Sequence, residues 1–202
     1  CHGLAVMAWG MLHSMWRFGH IGVLARWAER ALNACGDPEA DPDIATASAR
    51  LRAAVSWSRF LVGDAEGALA VQDDLDLDEI AASDPACAAL LQNTRAMALP
   101  TADGGGQARD AAHRALALAE SADFPTVRAY SHAFLASLDL TNHDFASAER
   151  HCRRFLSIAT DLRLHSLLCQ QYGKLALIAI AQGQIDEGRR HFAAALDVLV
   201  AD

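Results

Sequence analysis

Apolar residues recur every three to four positions over most of this chain, the period of a helix with one buried stripe. The stretch "YGKLALIAIAQGQIDEGRRHF", residues 172–192, shows it well. Tyr172, Leu175 and Ala176 share one helical face; "QGQ" (Gln182 to Gln184) interrupts it; Ile185, Gly188, Phe192 and Ala195 mark the inner face of a second helix. The central glycine supplies a turn, so the stretch predicts a helical hairpin. The same pattern predicts helices over roughly 4–18, 21–35, 42–62, 65–75, 85–99, 106–121, 125–141, 144–160, 162–182 and 185–200. Between them, "GDPEADPD" (Gly36 to Asp43) carries two prolines and caps the next helix. "ASDPA" offers Ser83 and Asp84 as N-caps with Pro85 at the first helical position. "PTADGGG" (Pro100 to Gly106) is the most pliable link and a candidate hinge.

Small residues follow a longer period. Steps of forty back from Gly188 reach Ala148, Ala108 and Ala68, and a further step of forty-four reaches Leu24. Turn-like stretches precede these anchors: "NHDF" before Ala148, "VGDA" before Ala68, "FGHI" before Leu24 and "DGGG" before Ala108. Twelve residues before the anchors stand Ala176, Ala136, Ala96, Ser56 and Leu12. Seven residues after them stand Ala195, Phe155, Ala115, Leu75 and Ala31. Two antiparallel helices approach closely only where one offers the other a small side chain. One hairpin alone leaves an apolar face that a stacked neighbour would cover. The prediction is an all-α chain, a single domain over 1–202 built from about five antiparallel helix hairpins.

The last hairpin resembles a tetratricopeptide repeat: Tyr172, Leu175, Ala176, Gly188, Phe192 and Ala195 fall in that motif's order and spacing. The fourth matches through Leu135, Ala136, Phe145 and Ala148, with Cys152 and Phe155 where Phe and Ala are usual. The third keeps Ala96, Ala108 and Ala115, and the first two are degenerate. The spacing is longer than the motif's usual 34 residues. Longer, looser repeats of this kind resemble the sensor arrays of large bacterial transcriptional regulators of the MalT-like and LuxR-type group. The resemblance implies an α-α superhelix whose first helices line a concave groove. On that reading the groove holds Trp9, His13, Trp16, Trp57, Asn93, Met97, Tyr130, Phe134, Ser137, Gln170 and Leu177, and would take a protein segment or a small effector. Arg50 and Lys174 are candidates to hold a ligand carboxylate. The opposing reading is that the tryptophans fill a tight superhelix.

Composition narrows the rest. Hydrophobic residues make up 52% of the chain and aromatics 6%, with Ala and Leu dominant and no long β-branched run. The formal charge of −8 argues against a duplex-gripping surface, so no direct nucleic acid is expected. The acidic "DDLDLDE" (Asp73 to Glu79) reads as a solvated helix end and loop. Five cysteines without paired spacing read as reduced thiols in a cytoplasmic protein. The longest apolar run, "LALIAIA", is too short to span a bilayer. His165 and Cys169 share a helix face at i, i+4, but two ligands do not make a metal site. "GGGQARD" lacks the Lys and Ser or Thr of a phosphate loop, and no catalytic motif occurs. A binding module without metal or cofactor is therefore expected, rather than an enzyme. The apolar "VMAWGMLHSMW" (Val6 to Trp16) and the closing "ALDVLVAD" imply covering partners: further domains of a longer protein, or a second copy.

Overall fold

Aspartate and proline decide where the longer helices begin. The computed structural model describes residues 21–35, 41–101, 105–162 and 165–200. Among them are ten α-helices and no strand: α1 (Ile21–Asn33), α2 (Pro42–Leu61), α3 (Ala65–Ala70), α4 (Leu77–Ser83), α5 (Pro85–Ala98), α6 (Gly106–Ser121), α7 (Pro125–Thr141), α8 (Phe145–Leu162), α9 (His165–Ala181) and α10 (Ile185–Val200). Proline opens α2, α5 and α7, where it has no intrahelical donor to lose. Asp41 accepts from the Asp43 N–H at 2.9 Å, and Asp84 accepts from the Cys87 N–H at 3.1 Å. Such caps contribute about 1 kcal/mol each.

The hairpin turns repeat in atomic detail. Gly63, His143 and Gly183 take left-handed φ of 90°, 59° and 78°. At each, the next residue's N–H returns to a carbonyl five positions back: Asp64 to Arg59 at 2.9 Å, Asp144 to Asp139 at 2.9 Å, Gln184 to Ala179 at 2.8 Å. This is the Schellman closure of a helix C-terminus. The following helix starts at once, Asp64 capping the Gly67 N–H and Asp144 that of Ser147. Glycine adopts this conformation freely, whereas at His143 it costs about 1–2 kcal/mol.

The small residues of both columns are buried where the paired helices pack. Ser56, Ala96, Ala136 and Ala176 are fully buried, as are Ala68, Ala108 and Ala148; Gly188 is buried too. The Ser56 hydroxyl donates to the Ala68 carbonyl at 2.7 Å. A Cβ on Gly188 would lie 2.7 Å from Ile180 Cγ1 and 3.2 Å from the Ala176 carbonyl oxygen. The apolar contacts recur as well. Ala96, Ala112 and Leu135 form one cluster, and Ala136, Cys152 and Leu175 form another, each member forty residues on. Helices therefore pack in neighbouring pairs: α5 on α6, α7 on α8 and α9 on α10. Between pairs, α2 packs on α5, α5 on α7 and α7 on α9.

Three expectations change. The helix expected over 65–75 stops at Ala70. Gln72 turns inward to donate to Ser56 Oγ at 2.8 Å, and Arg52 ties down Asp74 and the Val71 carbonyl. The acidic stretch, expected as a helix end and loop, instead opens a helix: the Asp76 carboxylate accepts the N–H groups of Asp78 and Glu79 and starts α4. Cys35 is disulfide-bonded while Cys87, Cys152 and Cys169 are free, because pairing follows proximity in space rather than spacing in sequence. The helix expected over 4–18, Trp9, His13, Trp16 and the His165 side chain lie outside the described residues. Among the described residues no helix is long and apolar enough to cross a membrane.

Gly188→Leu is expected to cost about 1–3 kcal/mol by overpacking the α9–α10 contact. Gly173→Ala, where a Cβ meets nothing within 4 Å, should instead stabilise by about 1 kcal/mol. Urea midpoints of the two variants against the parent give both signs.

Candidate functional site

The residues expected to line a groove mostly form a seam between the first helices of successive pairs. Trp57 is only 1% exposed. Its ring meets Tyr130 of α7 edge-on at a centroid distance of 5.3 Å and Phe60 at 5.9 Å. Helices two pairs apart thus touch through their aromatic side chains, and the inner face at α2 is filled. Asn93 is equally buried, its Oδ1 accepting from Ser131 of α7 at 3.1 Å and its amide lying 3.6 Å from Met97 Sδ. Phe134 is half-buried against Ala96, Ala111, Ala112 and Leu135. Gln170 and Leu177 on α9 are exposed.

Neither cation proposed for a ligand carboxylate serves as one. Lys174 Nζ donates to the Ala133 carbonyl at 2.9 Å and to Ser137 Oγ at 2.7 Å, binding α9 to α7. Burial holds its pKa below the usual lysine range. Arg50 Nε meets Asp84 Oδ2 at 2.6 Å, so the carboxylate that caps α5 also anchors it to α2. Tight stacking consumes both charges within the array.

Chemistry concentrates instead in a slot between the two helices of each pair. In α7 and α8 it holds His132 and His151, whose Nδ1 atoms stand 2.9 Å apart. His151 Nε2 lies 3.7 Å from Oδ2 of Asp139, and Arg109 of α6 reaches Asp139 Oδ1 at 2.5 Å. Asp139 is 2% exposed, and its Oδ2 has no hydrogen bond among the described residues. One Nδ1 of the pair donates to the other, the direction following the tautomers of the two rings. One pair further on, Tyr172 and His191 occupy the corresponding positions and stack at 6.5 Å. One pair back, the positions hold Gln92 and Ala111, and a cleft of about 390 Å³ opens between the α3–α4 connection, α5 and α6.

The arrangement offers little to a nucleophilic reaction. Burial pushes the Cys87 thiol up and the Cys152 thiol up to about 11, so neither is a thiolate at neutral pH. Among the described residues no three His, Cys, Asp or Glu side chains gather around a cation position. The chain matches no protein-family model, and no curated protein matches it.

Sequence reasoning missed both the His132–His151 pair and the cleft. The signal was in the repeat itself: residues 92, 132 and 172 form one column, and 111, 151 and 191 another. Aligning the slots rather than the small residues would have exposed them.

Trp57→Ala is expected to cost about 3–5 kcal/mol, the penalty for emptying a core aromatic site. An unchanged chemical-denaturation midpoint would contradict this packing. The histidines give a pH dependence of definite sign. Burial, then His151, Arg154, Arg128 and His113, lower His132 to about 4. Burial also lowers His151, with Asp139 opposing it and His113, Arg150 and Arg109 reinforcing it. The unfolded chain, with histidines near about 6.5, binds more protons in the window below that value. Stability is therefore whole above pH about 6.5 and falls as pH drops toward about 4. Melting temperature should decline from pH 7.5 to 5, and His132→Gln should flatten that decline.

Proposed function

We propose that this chain is a non-enzymatic recognition module: a tetratricopeptide-like superhelix that binds a protein segment or small effector. The supporting observation is the recurrence of one turn at Gly63, His143 and Gly183 and of one apolar cluster forty residues on. Such a unit presents the same surface repeatedly along the stack, and side-chain changes at matched positions diversify it without altering the fold. The slot between paired helices illustrates this, holding a histidine pair in one unit and a cleft in another. On this reading the module is the sensor or regulatory part of a bacterial transcriptional regulator, and effector binding changes the curvature of the stack. The disulfide at Cys35 removes the thiol argument for a reducing compartment. The cytoplasmic setting then rests on the regulator assignment alone.

A thermal-shift screen of peptides and small metabolites against the purified chain tests the reading. A true ligand at a hundred times its Kd should add about 2.7 kcal/mol of stability. Mass spectrometry should recover it unaltered. A screen without any saturable stabiliser would contradict recognition, and a ligand returned chemically changed would contradict the non-enzymatic assignment.

A further inference from the structure

The slot between α5 and α6 differs from its counterpart in the next pair in a way that points to a ligand. Between α7 and α8, His132 and His151 fill the slot and satisfy each other. Between α5 and α6 the matched residues are Gln92 and Ala111, and both line the cleft of about 390 Å³. That volume lies within the range of small-molecule sites. Gln92 is only 5% exposed and lines the cleft.

The walls define what fits. Arg95 of α5 and Arg114 of α6 line the cleft, and among the described residues neither guanidinium has an ion-pair partner. Leu75, Leu77 and Leu99 supply an apolar surface. Asp76, Asp78 and Asp110 border the same space; Asp76 is occupied in capping α4. Two arginines attract an anion and hold a planar carboxylate well. The three aspartates outnumber the two arginines, so an anion is held here only by direct contact with the guanidiniums, and a dianion such as phosphate is opposed more strongly than a monocarboxylate.

We propose that this cleft binds a monocarboxylate bearing an apolar side chain, as presented by a free amino acid or a peptide C-terminus. The carboxylate sits at Arg95 and Arg114, the side chain lies on the leucines, and the Gln92 amide bonds the adjoining polar group. The proposal rests on the recognition reading above and gives it a place and a ligand class.

Calorimetric titration of the full chain tests it with leucine, N-acetyl-leucine, leucinamide, inorganic phosphate and a tetrapeptide ending in leucine, free or amidated. Probes with a free monocarboxylate should bind at least tenfold tighter than leucinamide, the amidated peptide or phosphate. Leucine and the free peptide separate the two sources. Arg95→Gln combined with Arg114→Gln should weaken binding at least tenfold with an unchanged melting temperature, since both side chains are exposed and unpaired. Gln92→Leu should weaken binding while leaving the chain folded. Equal binding of amide and acid, tighter binding of phosphate, undiminished binding by the double variant, or no binding by any probe would overturn the assignment. A ligand found in the thermal-shift screen whose affinity ignores Arg95 and Arg114 would remove only this cleft. The absence of every ligand would remove the recognition reading with it.

Discussion

The fold depends on backbone-close contact between the two helices of each pair. Ser56, Ala96, Ala136 and Ala176 on the first helices and Ala68, Ala108, Ala148 and Gly188 on the second are all buried; the Ser56 hydroxyl bonds the Ala68 carbonyl, and a Cβ on Gly188 would crowd Ile180 and the Ala176 carbonyl. Dispersion falls off steeply with separation, so small residues gain by letting many backbone atoms approach at once. The Schellman turns at Gly63, His143 and Gly183 set the geometry that makes this possible. The third helix then follows: Leu135 closes the contact of Ala96 with Ala112, and Leu175 closes that of Ala136 with Cys152.

With those contacts fixed, other positions become free to vary. The slot beside the close approach is one such place. It holds the Arg109–Asp139–His151–His132 chain in one unit, a Tyr172–His191 stack in another and the Gln92 cleft in a third. The first is a half-buried polar network that ties α6, α7 and α8 together. The third is open, with Gln92, Arg95 and Arg114 along its walls.

The helices and their starts were legible in the sequence because proline, aspartate and the three-to-four spacing act locally. The predicted ranges 106–121, 125–141 and 185–200 match α6, α7 and α10. The small-residue columns were legible for a related reason, since a close approach tolerates few residue types. What the sequence left open was whether the inner face is a groove or is filled. Trp57 and Tyr130 lie 73 positions apart, and only the packing of α2, α5 and α7 brings their rings together and fills that face at α2. Arg50 and Lys174 were misjudged likewise: a cation on an inner face looks available until a carboxylate or carbonyl from the next helix arrives. The break at Ala70 escaped notice because it turns on Gln72 finding Ser56 across the pair.

The central claim is that one three-helix contact is built twice, forty residues apart. Nuclear Overhauser measurements on a chain with labelled alanine and leucine methyls address it directly. The account predicts cross-peaks from Ala96 to Ala112 and Leu135, together with a matching cross-peak from Ala136 to Leu175. A spectrum with the first set present, but with Ala136 close to residues unrelated to Leu175 and Cys152, would contradict it.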